Sequence, residues 1–408
     1  MEVIRNRKPA SIQVLGDQIE EPGITYAEHG YVIREGDVLL NALTGEVLRI
    51  TDEEADRAEL IRRWVLTPAG VNLAGLSHLI REATIRMRNN RSINSYTIFT
   101  TTGCNAACSY CFQNGLDVVT MTPETAADVA AYIKQKANRG REIGLRWFGG
   151  EPLVNKDVIT LICQDLQDNQ RPYTSSMSSN GDLFPDVTDA EIRLWNLKRV
   201  QFTIDDIDDE YDQIKNLPAG AYDRLKETVE RLASLGINCI IRVHYDPEKG
   251  VEPCMQIVED FKEYPHVTMY ARMLYGESRT QADYEALLQI EDRMLEVGRL
   301  ELRIPDNTSA TYCMADNRSN ACITPEGNLS ACEHYATGQD YGSIYSAEQD
   351  KAILAAWAAK TKYRDACTDC SMYPACELLC DCPGVGVCSE GYRYYQEQRI
   401  RRALRALS

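Results

Sequence analysis

Between residues 93 and 300, segments typical of β-strands alternate with segments typical of amphipathic helices, which limits the possible folds more than any other feature. The six strand-like runs are Ser95–Thr100, Ile143–Phe148, Tyr173–Ser179, Arg199–Ile204, Ile237–Tyr245 and Val267–Leu274. Helical patterns cover 156–168, 189–196, 221–234 and 281–295, and Thr122-Pro123 opens another helix with an N-cap residue and a proline. This alternation predicts an α/β fold with parallel strands, in which ligands gather at the carboxyl ends of the strands.

Three cysteines follow the first predicted strand at C-x3-C-x2-C spacing, namely Cys104, Cys108 and Cys111. A cubane iron–sulfur cluster is usually held by four thiolates, so three thiolates on one loop leave one iron without a protein ligand. An open metal position of this kind is where chemistry takes place. The spacing by itself also fits a fragment of a zinc knuckle.

The second predicted strand ends in Trp147-Phe148-Gly149-Gly150-Glu151-Pro152. Glycines allow the backbone to approach a ligand closely, and the neighbouring carboxylate could receive an ammonium group. Without the cysteine loop, Gly-Gly-Glu would be an ordinary turn.

The cysteine loop with its following aromatic residue, together with Gly-Gly-Glu-Pro one βα unit later, resembles the radical S-adenosylmethionine (radical SAM) superfamily. The resemblance covers about residues 93–390 and implies a partial (β/α)6 barrel. It also implies that SAM chelates the open iron and is cleaved to a 5′-deoxyadenosyl radical. Phe112, Gly149, Gly150 and Glu151 are then expected to contact SAM.

Two further stretches resemble SAM-binding motifs of that family. Ser179 and Asn180 end the third strand in a stretch similar to T-N-G, although an Asx turn is the alternative. Asp205 ends the fourth strand within a stretch similar to S-I-D-G, but here Asp206 replaces the glycine.

Arg242 lies on the fifth predicted strand, in a stretch similar to R-x-N-x-D of the family. His244 stands where relatives often have asparagine. An inward arginine could pair with the SAM carboxylate, and a structural salt bridge is the alternative.

The C-terminal cysteines resemble the seven-cysteine pattern of the SPASM domain, which binds two auxiliary cubane clusters. By that analogy Cys313, Cys332 and Cys380 hold the first cluster, and Cys367, Cys370 and Cys376 hold the second with a late cysteine. We expect Cys388 rather than Cys382 as that late ligand. Cys322 is additional and either completes the first cluster or is free. The alternative is a rubredoxin-like or zinc-ribbon site at C-x2-C.

Glu333 follows Cys332 directly. In sulfatase-maturing relatives an acidic residue at this point is the acid/base beside the substrate, which makes Glu333 the catalytic candidate. The alternative is a surface glutamate in a turn.

These patterns divide the chain into four parts. Residues 1–92 form a small N-terminal α+β or winged-helix module that could hold a leader peptide or merely pack over the barrel. Residues 93–300 form the radical SAM core, 301–390 the SPASM domain, and 391–408 a basic C-terminal helix.

Composition excludes several classes of function. A net charge of −17 argues against a nucleic-acid binder, which would need a basic face. No apolar run is long enough for a membrane span, and no signal peptide is visible. Fifteen cysteines without a signal peptide indicate metal or redox chemistry in a reducing cytoplasm.

The resemblance therefore predicts a peptide maturase that uses one SAM-binding and two auxiliary [4Fe–4S] clusters. An external reductant such as flavodoxin or ferredoxin would supply the electron. The enzyme would abstract hydrogen from a ribosomally made precursor peptide and form a thioether, C–C or C–O cross-link. A formylglycine-forming sulfatase maturase is the alternative within the enzyme class, and an iron–sulfur carrier or redox sensor the alternative outside it.

Overall fold

The computed structural model describes residues 1–89, 93–274, 279–305, 320–335, 340–359, 367, 369–376 and 388–408. The chain divides into two compact units. The front unit consists of the described residues within Met1–Arg91, Leu302–Asn317 and Ala356–Ser408. The barrel unit consists of those within Ser92–Glu301 and Arg318–Ala355.

The front unit begins with short strands and helices. The strands are β1 (Glu2–Arg5), β2 (Tyr26–Glu28), β3 (Val32–Glu35), β4 (Val38–Asn41), β5 (Glu46–Arg49) and β6 (Leu66–Pro68). The helices are α1 (Pro9–Leu15), α2 (Arg57–Arg62) and α3 (Leu73–Asn89). An antiparallel sheet has the order β1-β5-β4-β3, and β2 pairs with β6.

The barrel unit contains six parallel strands whose order in the sheet follows their order in the chain. They are β7 (Ser95–Thr101), β8 (Ile143–Gly149), β9 (Tyr173–Ser179), β10 (Leu197–Ile204), β11 (Asn238–Tyr245) and β12 (Val267–Met273). The helices between and after them are α4 (Pro123–Lys136), α5 (Lys156–Asp168), α6 (Asp189–Leu194), α7 (Asp208–Lys215), α8 (Ala221–Ser234), α9 (Glu252–Phe261) and α10 (Gln281–Glu296). The predicted α/β fold with parallel strands and helical crossovers is confirmed.

Local signals in the sequence explain where the first of these helices begins. The Thr122 side chain accepts a hydrogen bond from the amide of Thr125 at 3.1 Å, and Pro123 occupies the first helical position. On β8, Ile143, Leu145 and Trp147 are buried, whereas the residues between them are partly exposed. One face of the strand therefore packs into the core, and the other presents the polar Arg146.

Three more strands extend the barrel sheet beyond β7. They are β13 (Asn320–Ile323), β14 (Asn328–Ser330) and β15 (Asp340–Ser343), followed by helix α11 (Lys351–Ala359). β13 runs parallel to β7, with Cys322 opposite Thr97, and β14 returns antiparallel to β13. This arrangement places Cys322, Cys332 and Glu333 in the same unit as the barrel strands.

The C-terminal helix, α12 (Glu390–Arg405), belongs to the core of the front unit. Its buried residues include Ile400 and Leu404, which pack in one apolar cluster with Ile33 and Leu40 of the antiparallel sheet. A second cluster, with Leu39 and residues of α2, covers the other face of the sheet. No helix among the described residues is long and apolar enough to cross a membrane.

Candidate active site

The three-cysteine loop begins directly after β7, at the carboxyl end of the parallel sheet. Cys104 is exposed, whereas Cys108 and Cys111 are half-buried, and the amide of Cys111 donates to the Cys108 carbonyl at 3.1 Å. The twelve cysteines in the described part of the chain are all free thiols. The loop thus presents three thiols in one tight turn, as its spacing predicts.

An amide network holds one side of the loop. Asn105 donates through Nδ2 to Asp182 at 3.0 Å and accepts from Asn180 Nδ2 at 2.8 Å. The same Asn180 nitrogen lies 3.9 Å from Cys104 Sγ. The predicted site residue Asn180 therefore lies beside the cysteine loop.

The turn after β8 packs directly on the backbone of this loop. The amide of Gly150 donates to the Thr101 carbonyl and the amide of Glu151 to the Gly103 carbonyl, both at 3.0 Å. A Cβ on Gly149 would lie 2.1 Å from the Thr101 oxygen, and one on Gly150 would lie 2.1 Å from the Gly103 oxygen. Since no side chain fits there, both positions require glycine.

The carboxylate of Glu151 lies inside the protein, with no exposed surface. It accepts hydrogen bonds from the amides of Leu153 and Asn180, at 3.1 and 2.8 Å, and from the Ser179 hydroxyl at 3.0 Å. Burial raises the pKa of Glu151 to about 7 despite these donors. Three donors leave room for about one more on a carboxylate, which offers about four acceptor sites.

Gln113 provides an unsatisfied acceptor next to this turn. Its Nε2 donates to the Gly149 carbonyl at 2.9 Å, which fixes the amide orientation because a carbonyl can only accept. Its Oε1 is buried and has no hydrogen-bond partner among the described residues. A ligand with an N–H donor, such as an ammonium group, would satisfy this oxygen.

Arg242 on β11 provides an unsatisfied donor. The residue is half-buried, and its Nε is buried with no hydrogen-bond partner in the described part of the chain. A guanidinium left in this state suits an anionic group of a ligand. The structural salt bridge considered for Arg242 is not among the ion pairs of the described residues.

Asp205, the residue after β10, is instead bound by protein groups. Its Oδ1 lies 2.6 Å from His244 Nδ1, and its Oδ2 accepts from the Tyr110 hydroxyl at 2.7 Å and from Lys215 Nζ at 2.6 Å. Burial alone would raise its pKa, but Lys215 and His244 hold the pKa of this carboxyl well below its usual range. Sequence reasoning did not identify Tyr110, which is an unspecified position of the cysteine motif, or Lys215, which lies outside the motifs.

Glu333 forms an ion pair inside the barrel unit. Its carboxylate accepts from Arg146 Nη1 at 2.6 Å, and the other Arg146 nitrogen donates to Ser178 at 3.3 Å. Its side chain is 18% exposed. The neighbouring His334 stacks on Phe112, with ring centroids 4.3 Å apart. Glu333 is therefore a paired carboxylate rather than a free surface residue.

The C-terminal cysteines fall in both units. Cys322 and Cys332 are buried in the barrel unit, while Cys367, Cys370 and Cys376 pack against the apolar cluster of the front unit. Burial raises the pKa of Cys370, and Cys388 adds to this effect, so Cys388 lies near the predicted second set. Cys313, Cys380 and Cys382 lie outside the described residues.

The donor chemistry of the cysteine loop fits an iron–sulfur cluster. Among the described residues, no three His, Cys, Asp or Glu side chains converge closely enough to hold one metal ion. In a cubane each thiolate binds a different iron, so its ligands need not converge on a point. Cys104, Cys108 and Cys111, with the acceptor of Gln113 and the donor of Arg242 on neighbouring elements, fit a cluster with an attached zwitterionic ligand.

A three-thiol loop after the first strand of a six-stranded parallel half-barrel, against a Gly-Gly-Glu turn, defines the class of radical SAM domains. Residues 98–261 match the family model of the Radical SAM superfamily, so this part of the chain is a radical SAM domain, which supports an enzyme. Such a domain implies a [4Fe–4S] cluster and SAM.

Curated relatives are GTP 3′,8-cyclases. The cyclase of Desulforamulus reducens is 30% identical to this chain over 121 residues. The matched residues are 29% of this chain and 36% of the cyclase, so the chain spans about a third of the length of that relative. That of Clostridium botulinum is 24% identical over 279 residues, 60% of this chain and 83% of the relative.

Solved structures share the fold at low sequence identity. SuiB of Streptococcus suis bound to S-adenosylmethionine superposes with a TM-score of 0.55 at 14% identity, covering 88% of this chain and 95% of that one. SuiB bound to the precursor peptide SuiA superposes with a TM-score of 0.54 at 13% identity, covering 86% of this chain and 95% of SuiB. The protein anSMEcpe with bound AdoMet and the peptide Cp18Cys superposes with a TM-score of 0.57 at 14% identity, covering 77% of this chain and 100% of anSMEcpe.

Proposed function

We propose that this protein is a radical SAM peptide maturase that modifies a ribosomally made precursor peptide. Cys104, Cys108 and Cys111 would hold the SAM-binding cluster, which a flavodoxin or ferredoxin would reduce. With SAM bound, this cluster supplies a 5′-deoxyadenosyl radical that abstracts hydrogen. A thioether, C–C or C–O cross-link in the peptide is the product we propose.

One observation carries the SAM site: an unsatisfied acceptor lies two residues after Cys111, and an unsatisfied donor lies on β11, whose His244 contacts Tyr110 of the cysteine loop. Gln113 Oε1 and the remaining acceptor position of Glu151 suit an ammonium group, and Arg242 suits a carboxylate. SAM carries both groups on its methionine part. We also propose contacts from Phe112, Ser179 and Asn180.

Gly149, Gly150 and Asp205 enter this proposal as residues that shape the site. The two glycines let the Gly-Gly-Glu turn lie on the cysteine loop, and Asp205 binds Tyr110 of that loop. These three residues thus shape the proposed SAM site through their contacts with the cysteine loop.

Glu333 is our candidate acid/base for the substrate. The ion pair with Arg146 orients its carboxylate within the barrel unit, and a carboxylate is a group that can accept a proton. Its neighbour His334 lies against Phe112, next to Cys111. Glu333 is therefore connected to the cysteine loop through one residue.

Two auxiliary [4Fe–4S] clusters complete the proposal. Cys313, Cys322, Cys332 and Cys380 would hold the first, and Cys367, Cys370, Cys376 and Cys388 the second. The effect of Cys388 on the pKa of Cys370 supports Cys388 as a ligand of the second cluster. The described cysteines are free thiols, as expected of the cytoplasm, where we place the enzyme.

A peptide substrate is favoured by the shared fold with SuiB bound to SuiA and anSMEcpe bound to a peptide. A small antiparallel sheet such as that of the front unit can bind a peptide by strand addition. The curated relatives make GTP cyclisation the competing reaction. Two further alternatives to cross-link formation are formylglycine formation in a sulfatase and electron transfer by a non-catalytic iron–sulfur carrier.

The test uses anaerobically reconstituted full-length protein with dithionite and SAM. We expect about twelve irons, four per cubane, and 5′-deoxyadenosine by mass spectrometry. Cys104→Ala/Cys108→Ala/Cys111→Ala should retain about eight irons and form no 5′-deoxyadenosine.

Candidate peptides encoded near the gene, or GTP, are then added to separate reactions. A mass change in a peptide supports the maturase. Conversion of GTP alone would replace it with the cyclase, and full iron without 5′-deoxyadenosine under any condition would favour the carrier.

A further inference from the structure

Four side chains, three of them buried and one half-buried, meet beside the cysteine loop. Tyr110 comes from the loop, Asp205 follows β10, Lys215 ends α7 and His244 lies on β11. The Lys215 and Asp205 side chains are 5% and 1% exposed, with Nζ and Oδ2 2.6 Å apart. Lys215 Nζ also donates to the Tyr110 hydroxyl at 2.6 Å.

The backbone of Lys215 binds the same loop. Its carbonyl accepts from the amide of Ala107 at 2.9 Å, one residue before Cys108. Lys215 is therefore tied to the cysteine loop on both sides of Cys108, through Ala107 and through Tyr110. The left-handed Asn216 (φ 52°) ends α7 directly after it and fixes the position of this carbonyl.

The Lys215 ammonium lies beside the Cys108 segment of the loop. Its Nζ is 5.3 Å from the centroid of the Tyr110 ring, and its carbonyl holds Ala107, so contacts on both sides of Cys108 fix its position. A thiolate at Cys108 would thus face a fixed positive charge.

Stability does not explain why these charges are buried. Removing two charges from water is costly, so a buried ion pair adds little net stability compared with apolar residues of the same size. His244 adds no balancing charge, because burial lowers its pKa. A buried ion pair beside Cys108 is therefore a feature that calls for a role in the chemistry of that thiolate.

We propose that Lys215, fixed by Asp205 and Tyr110, is a positioning residue that orients the cysteine loop and raises the reduction potential of the cluster held there. The potential of an iron–sulfur cluster depends on net charge and on hydrogen bonds to its sulfur ligands. A positive charge beside Cys108 favours the reduced, more negative cluster. This inference rests on the proposed cluster at Cys104, Cys108 and Cys111.

The test is an anaerobic redox titration of the reconstituted full-length protein, followed by electron paramagnetic resonance. The cluster with the open iron is recognised as the signal that changes when SAM is added. Lys215→Met should shift its midpoint potential to more negative values, and Lys215→Arg should restore it. Tyr110→Phe should cause a smaller shift in the same direction.

Lys249→Met is the matched control, because Lys249 pairs with the neighbouring carboxylate of Asp206 but is exposed. It should leave the potential unchanged. If Lys215→Met does not fold with Asp205 unpaired, Lys215→Met/Asp205→Asn removes both charges. Because Lys215 acts on Cys108 more strongly than Asp205 does, the double variant should still shift the potential downward.

The redox titration distinguishes failure of the proposed function from failure of the role of Lys215. A wild-type protein with no SAM-responsive signal would contradict the proposed function. A normal SAM-responsive signal whose potential is the same in wild type, Lys215→Met and Lys249→Met would contradict this inference alone.

Discussion

Gly149 and Gly150 lie where two backbone segments touch, and this contact explains both residues. The sequence suggested that they let the backbone approach a ligand. In the structure they approach the carbonyls of Thr101 and Gly103, at the start of the cysteine loop. Their first role is thus to position that loop, which the sequence could not reveal because the contact is between distant segments.

Gly150→Ala should therefore disturb the cysteine loop. The new Cβ would lie 2.1 Å from the Gly103 oxygen, and such overpacking typically costs about 1–3 kcal/mol. We expect a lower free energy of unfolding in urea and loss of the SAM-dependent cluster by iron analysis. Gly140→Ala, whose Cβ would meet only the Asn138 side chain at 3.5 Å, is the control. Equal iron content in both variants would contradict the prediction.

Glu151 makes stability and SAM binding depend on pH in opposite directions. Its raised pKa means that the folded apoprotein keeps a proton up to about pH 7, which the unfolded chain releases near 4.5. The unfolding free energy should therefore fall as pH rises through this window, by about 3 kcal/mol at 1.36 kcal/mol per pKa unit. SAM binding should instead weaken below about pH 7, since its ammonium needs the ionised carboxylate.

Urea unfolding of the apoprotein at pH 5.5 and 8 measures the part of the first effect between pH 5.5 and 7, about 2 kcal/mol. Glu151→Gln should lose most of this pH dependence, whereas Glu248→Gln on the exposed surface should keep it. Calorimetric titration with SAM over the same range measures the second effect. Identical pH profiles for wild type and Glu151→Gln would argue against a buried, titrating Glu151.

At the scale of elements, strong periodicity in the sequence was sufficient to predict the strands of the barrel unit but not to predict every helix. The predicted run Tyr173–Ser179 coincides with β9, and 156–168 coincides with α5. The sequence did not predict α7 (Asp208–Lys215) because it is short, acidic in its first turn and buries the polar residues Asp212 and Lys215. The network around Lys215 was missed for the same reason.

The sequence pattern predicted helix α12, but it did not predict that this helix packs against the antiparallel sheet of the front unit. Leu404 is fully buried in the apolar cluster of the front unit, so Leu404→Ala should cost about 2–5 kcal/mol. Tyr394, 36% exposed on the same helix, provides the control Tyr394→Ala. Hydrogen exchange of β3 and β4 should accelerate only in Leu404→Ala. Unchanged protection of both strands would show that α12 does not stabilise the sheet.

For the whole molecule, the sequence predicted the barrel strands and a division of the chain into four contiguous parts, with residues 301–390 as one domain. The described residues form two compact units. One unit joins residues near both termini, with Cys367, Cys370 and Cys376 beside the core of α1, α3 and α12. Contacts between the ends of a chain leave no periodic signal, so only the folded structure shows them.

This arrangement predicts that the proposed second auxiliary cluster stabilises the front unit. Metal binding to ligands that pack in a core contributes its free energy to folding, and the Cys376 carbonyl accepts from Arg81 of α3 at 3.3 Å. Cys370→Ala should accelerate hydrogen exchange in α1 and α3 at least about tenfold, which corresponds to about 1.4 kcal/mol. Cys111→Ala removes a cluster from the barrel unit instead and should leave α1 and α3 protected. If both variants exchange alike while iron analysis confirms that each lacks one cluster, the front unit folds independently of its cysteines.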